Sequence, residues 1–202
     1  MKNLNYSFRL FVAALCTWAG WATAADLPLQ VTGPTNATVL IIRHAEKPAT
    51  GQTLSPAGEL RAQAYAAYFQ KYLVGGTNLH LDQLFATADS KNSQRPRRTI
   101  EPLAGALHLK IDQRFDNKSS AELAQELRLH GSNHQTLVAW HHGKIAALIT
   151  ALGGDPAQLL PGGEWPAEQF SWVIQLRYDA TGHLLPAETR RVPEKLMPGD
   201  TD

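Results

Sequence analysis

The apolar run Thr38-Val39-Leu40-Ile41-Ile42 stops abruptly at Arg43-His44. So short and unbroken a run reads as a strand buried on both faces, with the polar pair emerging at its C-terminal end. Two further runs, 83–87 and 136–140, have the same character, and each also delivers polar residues at its end. Helical patterns lie between them. One starts at Ser55-Pro56 and sets Tyr65, Phe69, Tyr72 and Leu73 on one face; others are expected over 98–109, 119–130 and 143–152. The last carries Ile145, Leu148, Ile149 and Leu152 as its buried stripe and ends at Gly153-Gly154. Residues 171–179 and 183–191, joined by Ala180-Thr181-Gly182, read as a late strand pair. Alternation of strand and helix predicts an α/β fold, a three-layer sandwich with a mostly parallel central sheet and helices on both faces.

The two ends of the chain follow other rules. Lys2 and Arg9 precede a short apolar stretch, 10–22, and Ala22-Thr23-Ala24 suits a signal peptidase, so residues 1–24 are expected to be a signal peptide with mature protein starting near Ala25. A periplasmic or secreted location follows, without stable membrane insertion after cleavage. Residues 25–192 are expected to form one domain and 193–202 a loose tail. The single cysteine, Cys16, falls within the signal, so disulfides and thiol chemistry are not expected in the mature chain. Losing Lys2 and Arg9 takes the formal charge from +1 to −1. That balance offers no basic surface for nucleic acid. Attraction of an anion must therefore be local.

The chemistry-bearing residues gather at strand ends, where open α/β sheets bind ligands. Neutral histidine is a nucleophile, and arginine presents a planar fork of donors that fits phosphate oxygens. Arg43-His44 stands after the first run. The loop 88–94 after the second leads to Arg95, just upstream of a helix start, and the third run delivers His141-His142-Gly143 into a helix.

These segments resemble the histidine phosphatase superfamily, the phosphoglycerate-mutase-like fold, and within it small bacterial members that begin Arg-His-Ala-Glu-Lys-Pro. The likeness rests on Arg43 to Pro48, on Leu54-Ser55-Pro56-Ala57-Gly58, on Arg95 with Thr99, on His142-Gly143, and on Trp165-Pro166 ahead of Phe170. It implies a phosphatase that hydrolyses phosphate monoesters of a small substrate. His44 would accept the phosphoryl group and yield it to water, while Arg43, Arg95 and His142 surround the phosphate. It implies no metal and no cofactor. A phosphomutase, or a phosphate-binding protein with impaired catalysis, is the alternative.

An alkyl leaving group needs a proton, ordinarily from a carboxylic acid. Glu46 is the preferred donor, with Asp116, Glu122 and a histidine as alternatives; the pattern Ser119-Ser120-Ala121-Glu122 would instead make Glu122 part of a capping box. Arg97 and Arg98 read as a solvated first turn. His141 replaces an acidic residue common in related sequences.

Overall fold

The computed structural model describes residues 33–201. The proposed signal peptide therefore lies outside the described residues. The chain runs β1 (Thr38–Arg43), α1 (Pro56–Phe69), β2 (Leu73–Val74), β3 (Thr77–Asn78), β4 (Gln83–Ala86), α2 (Arg95–Leu107), β5 (Ile111–Asp112), α3 (Ser120–His130), β6 (Gln135–Trp140), α4 (His142–Ala151), α5 (Pro156–Leu159), β7 (Trp172–Arg177) and β8 (Arg190–Pro193). The main sheet is ordered β5-β4-β6-β1-β7-β8. Its first four strands are parallel; at the other edge β7 runs antiparallel to β1, and β8 antiparallel to β7. The expected α/β architecture is present.

The apolar runs explain the two faces. Val39 and Ile41 of β1 pack with Val138 and Trp140 of β6 under Leu123 and Leu127 of α3 and Ile145, Leu148 and Ile149 of α4. Leu40 and Ile42 point the other way, with Leu137 and Ala139, under Tyr65 and Phe69 of α1 and Ile100 and Leu103 of α2. A strand covered on both faces has no position at which a polar residue is free of cost, which is why these runs lack alternation. The chain leaves β1 toward α1 on one face and β6 toward α4 on the other. Neighbouring strands that diverge in this way open a crevice at their C-terminal ends.

Four local expectations change. Helix α1 ends at Phe69, so Leu73 is 55% exposed on the hairpin β2–β3 and not on a helical face. Gly75 and Gly76, both with positive φ (58° and 80°), make the tight two-residue turn that stops a helix from continuing. Helix α2 starts at Arg95, three residues before the expected start, because Pro96 fits the first turn, where no amide hydrogen is needed. Helix α4 similarly starts at His142. Ser119 makes no capping bond to α3, so the capping box is not formed. Its hydroxyl and amide go to Asp116 Oδ1 instead.

Residues 193–201 are not a loose tail. Glu194 N donates to Ser171 O, continuing the edge pairing of β8, and the Asp200 carboxylate accepts the amides of Leu196 and Met197. Asp200 also meets Arg61 of α1 at 2.7 Å. Arg61, 2% exposed, needs these partners; Glu46 at 2.8 Å and Glu194 at 3.6 Å complete its ring of carboxylates. A composition rich in Pro and Gly looks like a free end, but a buried guanidinium elsewhere in the chain fastens it.

Candidate active site

The register of β1 against β6 sets Arg43 opposite Trp140, and His44 N donates to Trp140 O at 3.0 Å. One residue farther along, the His44 and His141 rings meet edge to face, centroids 5.3 Å apart. The segment after His44 is held from two sides. Ala45 N donates to Thr99 Oγ1 at 2.8 Å, and the same hydroxyl donates to Arg95 O, so Thr99 couples the first turn of α2 to the residue after His44. Gly58 comes so close to Glu46 that a β-carbon would collide with its carbonyl; Ser55 N donates to that carbonyl at 2.9 Å. These contacts give physical meaning to the serine and glycine of 54–58 and to the threonine four residues after Arg95.

His44 is 3% exposed, and its Nδ1 lies 2.8 Å from Ala45 O. A carbonyl can only accept, so Nδ1 carries the proton and Nε2 keeps its lone pair. Burial, with the charge of Arg43 adding to it, pushes the imidazole down to about 3. It is therefore neutral at ordinary pH, the state a nucleophile requires. His141 is pushed down to about 4, first by burial and then by Arg95. His142 is lowered by burial, with Arg43 and Lys47 adding to it and Glu168 opposing.

Arg43 is 1% exposed. Its Nη1 donates to the carbonyls of Pro166, Ala167 and Gln169, and its guanidinium lies 3.8 Å from the centroid of the Phe170 ring. Trp165 Nε1 donates to Gln169 O as well, bracing the segment that orients the arginine. Nη2 has no partner among the described residues, and Nε is buried without one. Burial brings its pKa down to about 10. The cation is held where it is costly and, among the described residues, without an ion-pair partner. Arg95 donates from Nη1 to Gly51 O at 3.1 Å and has its own buried, unpartnered Nε.

Arg43, His44, Arg95, His141 and His142 converge on a cavity of about 260 Å³, with Lys47 and Lys144 at its exposed mouth. Among the described residues no carboxylate lines it. The N-terminus of α4 adds amide dipoles oriented for an anion. Arg97 is outside, paired with Asp89 at 3.0 Å and Glu101 at 2.8 Å. Among the described residues no three His, Cys, Asp or Glu side chains are grouped to hold a metal ion, and no helix is long and apolar enough to cross a membrane.

No protein-family model matches the chain, and no curated protein matches it. Solved structures do. The protein histidine phosphatase SixA complexed with tungstate superposes with a TM-score of 0.51 and 18% identity, over 78% of this chain and 97% of that one. Phosphoserine phosphatase from Entamoeba histolytica, in complex with 3-phosphoglyceric acid, gives 0.50 and 15%, over 74% and 94%. The chain has the histidine phosphatase superfamily fold.

On this histidine phosphatase fold, the expected carboxylic acids are the residues that do not converge. Glu46 does not line the His44 cavity; its carboxylate takes Arg61 Nε and Nη2 and lines a neighbouring cavity of about 480 Å³. The reason is local. Gly58 draws α1 against the Glu46 backbone, and Arg61, one turn on, captures the side chain. Asp116 is exposed and lowered below the ordinary carboxylate range by the amide of Lys118, the opposite of what a proton donor needs. Glu122 lies exposed on α3 and does not line the cavity. Sequence reasoning missed Glu168. Its charge acts on both Arg43 and His142, although it lines the Glu46 cavity. Its place two residues after Trp165-Pro166 was the available signal.

Proposed function

We propose that the protein is a phosphatase that moves a terminal phosphoryl group from a small substrate to His44 Nε2, and from there to water. The observation that carries this reading is the Nδ1 contact to Ala45 O, which leaves a neutral imidazole with a lone pair on its other nitrogen. In this reading the unpartnered Nη2 of Arg43, together with Arg95 and His142, surrounds the three phosphoryl oxygens. Charge spread over those oxygens in the transition state is what such donors stabilise. The names of the two similar structures, one a protein histidine phosphatase and one a phosphoserine phosphatase, support the same class of chemistry. We expect no metal in the reaction.

Rapid quenching after exposure to radiolabelled 4-nitrophenyl phosphate tests this. A phosphoramidate, labile in acid and stable in alkali, should accumulate on the wild type and be missing in His44→Ala; a label on serine or aspartate, or full turnover by His44→Ala, would sink the mechanism. EDTA should leave the rate unchanged. One observation favours a second reading, phosphate binding without catalysis: among the described residues no carboxylic acid lines the cavity. Absence of both turnover and label, with phosphate still bound, would select it.

A further inference from the structure

The cavity lacks the group that an alkyl phosphate most needs and has an excess of the group that a different substrate would use. Hydrolysis of an alkyl monoester expels an alkoxide, which a positioned acid must protonate. None of the lining residues is a carboxylic acid. Glu46 is engaged with Arg61, Asp116 is solvated and held ionised, and Glu168 lines the neighbouring cavity, although its charge reaches Arg43 and His142. The three histidines His44, His141 and His142 are all shifted toward the neutral form.

The cations are ordered by depth. Arg43 and His44 form the floor, 1% and 3% exposed, whereas Lys47 and Lys144 are exposed at the mouth. Neither lysine has an ion-pair partner among the described residues. In-line displacement puts the leaving group on the side of phosphorus away from His44 Nε2, toward that mouth. Two ammonium groups there match an anion, not an alcohol.

We propose that the substrate is a phosphoanhydride, a di- or triphosphate whose terminal phosphoryl group is transferred, and that Lys47 and Lys144 hold the departing phosphate. This rests on the phosphatase reading given above. The His44 Nε2 lone pair forms a bond to the terminal phosphorus as the bridging P–O bond breaks. The electron pair stays on the bridging oxygen, which becomes a terminal oxygen of the leaving phosphate, so no proton is required. The Nδ1 proton remains with the ring, directed at Ala45 O. Water then attacks phosphorus, the N–P bond breaks, its electron pair returns to Nε2, and the surplus water proton is taken up by the released phosphate. No redox change occurs.

The test uses the purified protein with three probes in the presence of EDTA: tripolyphosphate, glycerol 2-phosphate and 4-nitrophenyl phosphate. The specificity constant for tripolyphosphate should exceed that for glycerol 2-phosphate by about a hundredfold or more, the usual worth of a general acid. Lys47→Gln with Lys144→Gln should cost about tenfold more on tripolyphosphate than on 4-nitrophenyl phosphate, as two exposed ion pairs would. Arg97→Gln, whose partners are Asp89 and Glu101, should change none of the three rates. Equal rates on tripolyphosphate and glycerol 2-phosphate would overturn the proposal. So would equal losses in the lysine variant, or a loss confined to glycerol 2-phosphate in Glu168→Gln. Turnover of 4-nitrophenyl phosphate alone would leave the phosphatase reading standing and this inference refuted, whereas no turnover and no phosphohistidine would refute both.

Discussion

Arg43 and Arg61 are both almost completely buried, yet their surroundings are opposite. Arg61 is ringed by Glu46, Glu194 and Asp200, and against the lowering effect of burial its hydrogen bonds to Asp200 and Glu46 raise its pKa. Arg43 meets three carbonyls and an aromatic face, forms no ion pair among the described residues, and has its pKa lowered by burial. A buried arginine with a full set of anions is a strut: its charge is already answered and it ties segments together, here α1, the residue two after His44, and the C-terminal segment. A buried arginine without an anion is held ready for one, and perturbed groups of that kind mark functional sites. The same residue type thus ties segments together on one side of the β1 exit and, in the proposed function, receives an anion on the other.

The largest expected effect breaks this comparison directly. Arg43→Met should lower turnover about a thousandfold or more, since a transition-state contact is lost. It should leave stability within about 1 kcal/mol, because water can reach the exposed Pro166 and Ala167, whose carbonyls lose a donor, and Gln169 O keeps the indole N–H of Trp165. Arg61→Met should instead destabilise by about 3–5 kcal/mol by stranding buried carboxylates. Denaturant titration and steady-state kinetics on both variants decide it, and equal loss of stability would mean that the two arginines are not different in kind.

A hundredfold effect sharpens the cationic side. Arg95→Ala should lower the rate by about a hundredfold, whereas Arg97→Ala should stay within about threefold. Arg97 already has its anions in Asp89 and Glu101. Matching losses would show that lining the cavity is not what separates them.

The smallest effect is in the pH dependence of stability, where the two regions should oppose each other. His44 is pushed down to about 3 in the fold, so as pH falls below the ordinary histidine value the unfolded chain gains a proton that the folded chain refuses, and stability declines toward acid. Glu194 is pushed up to about 8 by burial, so between the ordinary carboxylate range and that value the unfolded chain ionises first, and stability declines toward alkali. Each slope is at most about 1.4 kcal/mol per pH unit. Melting temperatures of wild type and Glu194→Gln across pH 5 to 8 check this. The variant should lose the decline toward alkali; an unchanged profile would place the cause elsewhere.

The sequence by itself determined the α/β alternation, because strands covered on both faces must be apolar throughout and the runs 38–42 and 136–140 can do little else. It also determined that Arg43, His44 and His142 would arrive at strand ends and Arg95 at a helix start, since chain direction carries them there. It pointed to Arg95 over Arg97 through the spacing to Thr99, whose hydroxyl proves to bridge Arg95 O and Ala45 N. What only the tertiary structure decided was where the carboxylates go. Glu46 is two residues from His44 in the chain, but Gly58 brings Arg61 beside it, and Asp200, 139 residues from Arg61, closes the same cluster from the far end. A salt bridge between distant segments leaves no local pattern, because its energy depends on burial and approach and not on spacing. For that reason the chain shows in its sequence the cations suited to a phosphate, while the absence of an acid among them appears only when the fold has drawn Glu46 away.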